Sequence, residues 1–148
     1  MTDTLPTPDD LIGAWELDNW RITFSDDRED SYPYGETAKG FLIYERSGRM
    51  SVTVSDADRP QMSDANIRRA PIEEKGSAFD TFFHYCGTWR LDGAQVVHSV
   101  ELALNPNFVG TNQVRGMEFE PGHLVLIEQS TTRTGATMRN QLTWRKIS

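Results

Sequence analysis

The chain has 148 residues, 37% of them apolar and 25% charged, which suits one domain around a single core. Its formal charge of −7 argues against nucleic acid or an anionic membrane as a partner. No apolar run reaches the ~20 residues of a membrane span, and one cysteine with three scattered histidines supplies neither an internal disulfide nor zinc-ligand spacing.

Residues 1–10 are polar and carry two prolines, and they read as a flexible N-terminus ahead of one barrel domain at 11–148. No basic start or apolar stretch marks a secretory signal there, so a cytoplasmic protein is expected. The first predicted strand, Ala14 to Phe24, is rich in Trp, Ile and Phe. It runs into Asp26-Asp27-Arg28-Glu29-Asp30, which lacks the alternating carboxylates and closing Glu of a calcium loop and reads as a solvated loop. Gly40 to Glu45 and Arg49 to Ser55 flank Arg46-Ser47-Gly48, a hairpin signal. Beyond Pro60 and Pro71, two early acids and the spacing of Ala78, Phe79, Phe82 and Phe83 predict a short helix at about 72–84. Gly87 to Leu91 and Gln95 to Leu104 flank Asp92-Gly93. Thr111 to Phe119 and His123 to Thr131 flank Pro121-Gly122, and Met138 to Ile147 closes the chain. Eight antiparallel strands in up-and-down order, with one capping helix, predict an all-β closed barrel with room for side chains or one small ligand.

Strand periodicity selects the candidate site. In Val96 to Leu104 the more apolar set holds His98, which therefore faces inward as a candidate acid/base group. A core histidine tied to a neighbour is the other reading. Arg115 and Gln113 alternate in step with Met117 and Phe119, so they too are expected inside. A buried Arg needs a partner, either an anionic ligand oxygen or a carboxylate such as Glu128 or Glu101. Counting back from Asp92-Gly93 puts Gly87 opposite His98, leaving space beside it, and places Tyr85 and Trp89 in the cavity. Tyr44, Phe83, Tyr85, Trp89 and Phe108 form an aromatic set able to sandwich a planar ligand, or an ordinary aromatic core. Asn107, in the loop Asn105 to Gly110, has an amide able to reach a ligand. His84 is expected at the helix end near the barrel mouth and His123 on the surface. A His98/His84/Glu101 metal site would need the fold to gather them. Cys86 reads as a buried inert thiol. No G-x-S-x-G, phosphate loop or dinucleotide fingerprint occurs.

Gly13-Ala14-Trp15 resembles the Gly-x-Trp signature of the lipocalins and their wider relatives. That resemblance implies an Arg late in the last strand lying over the Trp, and Arg145 stands in the matching place. The wider match comprises Leu11 to Leu17, Gly40 to Tyr44 with Gly48 to Val52, Tyr85-Cys86-Gly87-Thr88-Trp89, Val97 to Glu101 and Asn105 to Arg115. It is similar to the bacterial and fungal lipocalin-like domain family, with a departure at Trp89, where Tyr is the more usual residue. Association of such members with small-molecule biosynthesis or catabolism implies an aromatic or polyketide-like ligand. Some lipocalin-like barrels hold haem through a His, but no cofactor and no metal are expected here.

These readings converge on a small-molecule-binding barrel. The catalytic candidates are His98, Arg115 and Tyr85. The substrate-binding candidates are Tyr44, Phe83, Trp89, Asn107, Phe108, Gln113 and Glu128. The expected activity is a cofactor-independent isomerase, cyclase or lyase, with His98 moving a proton and Arg115 stabilising an oxyanion. A non-catalytic carrier for a hydrophobic small molecule is the alternative, and a filled structural barrel the third reading. A homodimer is expected from the general frequency of twofold assemblies.

Overall fold

The computed structural model describes residues 5–148. Strand β1, Gly13–Phe24, is followed by β2 at Lys39–Tyr44, β3 at Arg49–Ser55, β4 at Phe82–Asp92 and β5 at Gln95–Ala103. Then come β6 at Asn112–Glu120, β7 at His123–Thr131 and β8 at Thr137–Lys146. Each strand pairs antiparallel with the next and β8 returns to β1, giving the expected closed eight-stranded barrel. Period-two alternation builds the interior. On β2, Gly40, Leu42 and Tyr44 are buried while Lys39, Phe41 and Ile43 face solvent. In β1 the register with β8 shifts between Leu17 and Asn19, so the bulged strand turns both Leu17 and Trp20 toward the core. Among the described residues no helix is long and apolar enough to cross a membrane.

Among the described residues two α-helices accompany the barrel. Helix α1, Pro8–Leu11, falls within the stretch where the sequence suggests no element, while residues 1–4 of that stretch lie outside the described residues. The Asp10 carboxylate accepts from the Thr7 backbone N–H at 2.7 Å, and the fully buried Leu11 offers its carbonyl to Trp15 Nε1 at 2.9 Å. Helix α2, Ile72–Asp80, ends four residues before the predicted boundary. Phe82, Phe83 and His84 instead ladder with Ser55, Val54 and Thr53 of β3, because strand pairing outweighs the helical spacing of the phenylalanines.

The β4–β5 register corrects a second expectation. The turn is centred one residue later than expected, on Gly93-Ala94: Asp92 pairs with Gln95, so Trp89 lies opposite His98 and Gly87 opposite Val100. No space is left at Gly87. A Cβ there would stand 1.9 Å from the Ser99 carbonyl oxygen, because a register shift between Cys86 and Gly87 brings the β5 backbone close.

The end of the barrel next to α1 is filled by Trp15 and Trp144, both fully buried. The cation over Trp15 is Lys146, with Nζ 5.6 Å from the ring centroid. Arg145 is not there. It alternates outward and forms ion pairs with Glu16 and Asp18 on the outer wall.

Candidate active site

Three strands bring three polar side chains together inside the barrel. Tyr44 closes β2, Tyr85 lies in the first half of β4, and His98 stands on β5. All three are buried, with His98 only 1% exposed. Tyr44 Oη is 2.6 Å from His98 Nε2, and Tyr85 Oη is 2.6 Å from His98 Nδ1. Burial first, and the Arg115 guanidinium second, push the imidazole down to about 3, so it is neutral at ordinary pH. Burial raises Tyr85 to about 12 and drives Tyr44 well above the usual phenol range, with Arg115 partly opposing both shifts.

Proton counting then constrains the cluster. Two phenols and one neutral imidazole carry three polar hydrogens, and the two contacts use two of them. Whichever tautomer forms, one phenol donates to the bare ring nitrogen while the other accepts the ring N–H. The accepting phenol keeps its own O–H for another acceptor. Both ring nitrogens are engaged, so His98 touches other molecules only through a tyrosine and offers no free lone pair to a haem iron.

Arg115 lies on the β6 face that carries Met117 and Phe119, as alternation predicts. It is half-buried, donates to Gln113 Oε1 at 3.3 Å and to the Val114 carbonyl at 3.0 Å, and acts electrostatically on all three members of the cluster. Gln113 is held in turn by Thr111 Oγ1 at 2.8 Å. Neither carboxylate expected as its partner pairs with it. Glu101 faces outward and takes two bonds from Arg49, at 2.8 and 2.9 Å. Among the described residues Glu128, half-buried on β7, forms no ion pair. Trp144 Nε1 is a buried donor without a protein acceptor, on a side chain with no exposed surface.

The aromatic expectations divide. Phe83 packs edge-on to Tyr85 at 5.5 Å between centroids, and Phe108 stands 6.1 Å from the same ring. Trp89 lies 4.7 Å from Tyr44 and anchors its indole N–H on the Glu45 carbonyl. Asn107 is exposed, and the amide oxygen that shapes its loop belongs to Asn105, so Asn107 is not brought to the site. His84 points to the outer face, with Nδ1 2.8 Å from Thr53 Oγ1, and His123 is exposed. With His84 and Glu101 outside, the His98/His84/Glu101 cluster does not assemble, and among the described residues no other group of potential metal ligands gathers.

Sequence reasoning missed Asn140 and Trp20. Asn140 lies on the inward set of β8 with Leu142 and Trp144, and its Oδ1 accepts from Trp20 Nε1 at 2.5 Å. Trp20 in turn meets Tyr34 edge-on at 4.9 Å. The alternation of Met138, Asn140, Leu142 and Trp144 was the available signal for Asn140. The bulge in β1 hid Trp20.

Comparison with known proteins adds the following. A family model described as a lipocalin-like domain matches residues 12–147. Among solved structures, the chain is similar to a complex of bovine odorant binding protein with a selenium-containing odorant. The identity is 12% and the TM-score 0.45, over 100% of this chain and 77% of that one. No curated protein sequence matches.

Proposed function

We propose, from the premise that the chain belongs to the lipocalin-like domain family, a small-molecule-binding fold, that it is a cofactor-independent isomerase, cyclase or lyase. Its substrate is a small aromatic or polyketide-like compound bearing an oxygen. The observation that supports this reading is the surplus phenolic hydrogen of the Tyr44–His98–Tyr85 cluster, under the influence of a guanidinium with no carboxylate partner. Arg115 stabilises negative charge developing on the substrate oxygen, the role with the greater leverage on rate. A tyrosine hydroxyl donates the proton. When Tyr85 gives up its hydrogen, the Nδ1–H of His98 refills it and Tyr44 resupplies Nε2; burial disfavours the Tyr44 phenolate that remains and Arg115 offsets only part of that cost, which drives return of a proton from the substrate. His98 thus serves as acid/base through the tyrosines and not by direct contact. Phe83, Phe108 and Trp89 orient the ring system, and Gln113 steadies Arg115.

A carrier without turnover is the second reading. It is favoured by one observation: both imidazole nitrogens are already satisfied, so the cluster is complete as a structural network. Quenching of tryptophan fluorescence by a panel of aromatic ketones and lipids tests binding. His98→Ala and Arg115→Ala abolish turnover if the protein is an enzyme and alter affinity alone if it is a carrier. Absence of quenching across the whole panel overturns both readings.

The acidic chain fits a cytoplasmic protein without a nucleic-acid or membrane partner. Twofold pairing is proposed as its assembly, supported by the exposed Phe41 and Ile43 side by side on β2. A single 16.8 kDa species in sedimentation at micromolar concentration overturns the pairing.

A further inference from the structure

Strands β6 and β7 do not pair along their full length. Their ladder runs from Glu120–His123 to Gly116–Ile127 and stops. Yet β6 continues along β5 to Asn112, and β7 continues along β8 to Thr131. Beyond Gly116 the wall lacks a hydrogen-bonded seam. A groove of about 610 Å³ lies on the outer wall at this point, lined by Val114, Gly116, Ile127 and the Glu118–Arg139 pair and reaching Met117 and Glu128, with Arg115 between Val114 and Gly116 on β6 but outside that lining.

The residues that follow the last rung are Arg115 on β6 and Glu128 on β7. Arg115 shares its face with Met117 and Phe119, and Glu128 shares its face with Leu124 and Leu126. Both are half-buried, and they form no ion pair with one another. A guanidinium and a carboxylate that flank one opening without neutralising each other suit a guest that needs both.

We propose, resting on the catalytic reading above, that a carbonyl compound with an acidic α-hydrogen reacts at this opening, with Glu128 as the base and Arg115 holding the enolate oxygen. The Glu128 carboxylate takes the α-proton. The C–H electron pair becomes the carbon–carbon π bond of the enolate, and the carbonyl π pair moves onto oxygen, where Arg115 stabilises it. Return of the proton from the Glu128 carboxyl to carbon restores the carboxylate and the ketone. Delivery to a conjugated carbon instead gives an isomer. His98 is unsuited to the abstraction because tyrosines occupy both its nitrogens, and Glu128 is the carboxylate on the lumen face of β7.

The test follows deuterium incorporation into 2-indanone in D₂O by proton NMR, with tryptophan quenching as the binding readout. The native chain is expected to accelerate exchange. Glu128→Gln should slow it about 100-fold while quenching persists. Glu128→Asp should recover part of the rate, and Glu16→Gln, altered on the outer wall where Glu16 pairs with Arg145 away from this groove, should leave it unchanged. Native-rate exchange in Glu128→Gln overturns the base assignment and leaves the catalytic reading standing. Quenching without exchange in the native chain overturns both and leaves the carrier. Absence of quenching and exchange together overturns the ketone as substrate class.

Discussion

His98 ties the candidate site to the stability of the fold. Its folded value of about 3 lies below the ordinary 6.5 because burial and the Arg115 guanidinium both oppose the imidazolium. Between those values the unfolded chain binds a proton that the folded chain refuses, so stability rises with pH across the window. Full stability is present above about pH 6.5 and is lost as the pH falls toward 3, at up to about 1.4 kcal/mol per pH unit for this group. Urea midpoints at pH 6.5 and pH 4.5 measure the loss, and His98→Gln should show a markedly smaller difference. The carboxylates of Asp26, Glu74 and Glu101 are also held below their ordinary values, by Arg28, Ser63 and Arg49 respectively, and favour the same direction. They remain in the variant, so the difference between the two chains isolates the imidazole. An unchanged pH response in His98→Gln would contradict the buried neutral histidine.

At the scale of elements, the site depends on how β4 meets β5. The backbone of Ser99 lies where a side chain at position 87 would stand, so Gly87→Ala forces the two strands apart. The cost is expected to be about 3 kcal/mol, seen as a lowered urea midpoint with weakened quenching, since Tyr85 and His98 sit on the displaced strands. A neutral outcome would mean the close approach is not required. The same pair of strands shows how far the sequence could be read. Hydrophobic alternation placed His98, Arg115 and Gln113 inside, because one buried face specifies a strand's inward set. It could not place partners across strands. A turn centred one residue later moved Trp89 opposite His98, and the identity of the residues meeting the imidazole came only with the register. The bulge near Asp18 likewise shifts the inward set midway through β1, which simple alternation cannot anticipate. At the chain's end, alternation sends Arg145 out beside Trp144, so the cation over Trp15 falls to Lys146, one residue further on.

Over the whole molecule, β8 has two duties. It pairs with β7 along His123–Thr131 and with β1 from Trp15 to Phe24, so the barrel exists as a closed object only when the last strand is in place. A chain ending at Gly135 leaves two long edges open and is expected to lose its cooperative urea transition, followed by fluorescence and far-ultraviolet circular dichroism. A sharp transition retained in that truncation would show the sheet to be stable without closure. Closure also fixes where the described chain begins and ends. Helix α1 and Ser148 lie at the Trp15 end, where the Ala14 N–H of β1 donates to the Ser148 carbonyl. There the Ser148 oxygen would stand 2.1 Å from any Cβ at Gly13, whose φ of +135° already favours glycine. Helix α2 and the strand ends it precedes lie at the opposite pole. A purification tag or surface tether attached at Ser148 would therefore anchor the molecule by its floor, leaving the α2 pole and the flank between β6 and β7 turned toward free solution for a sensor or a flow cell.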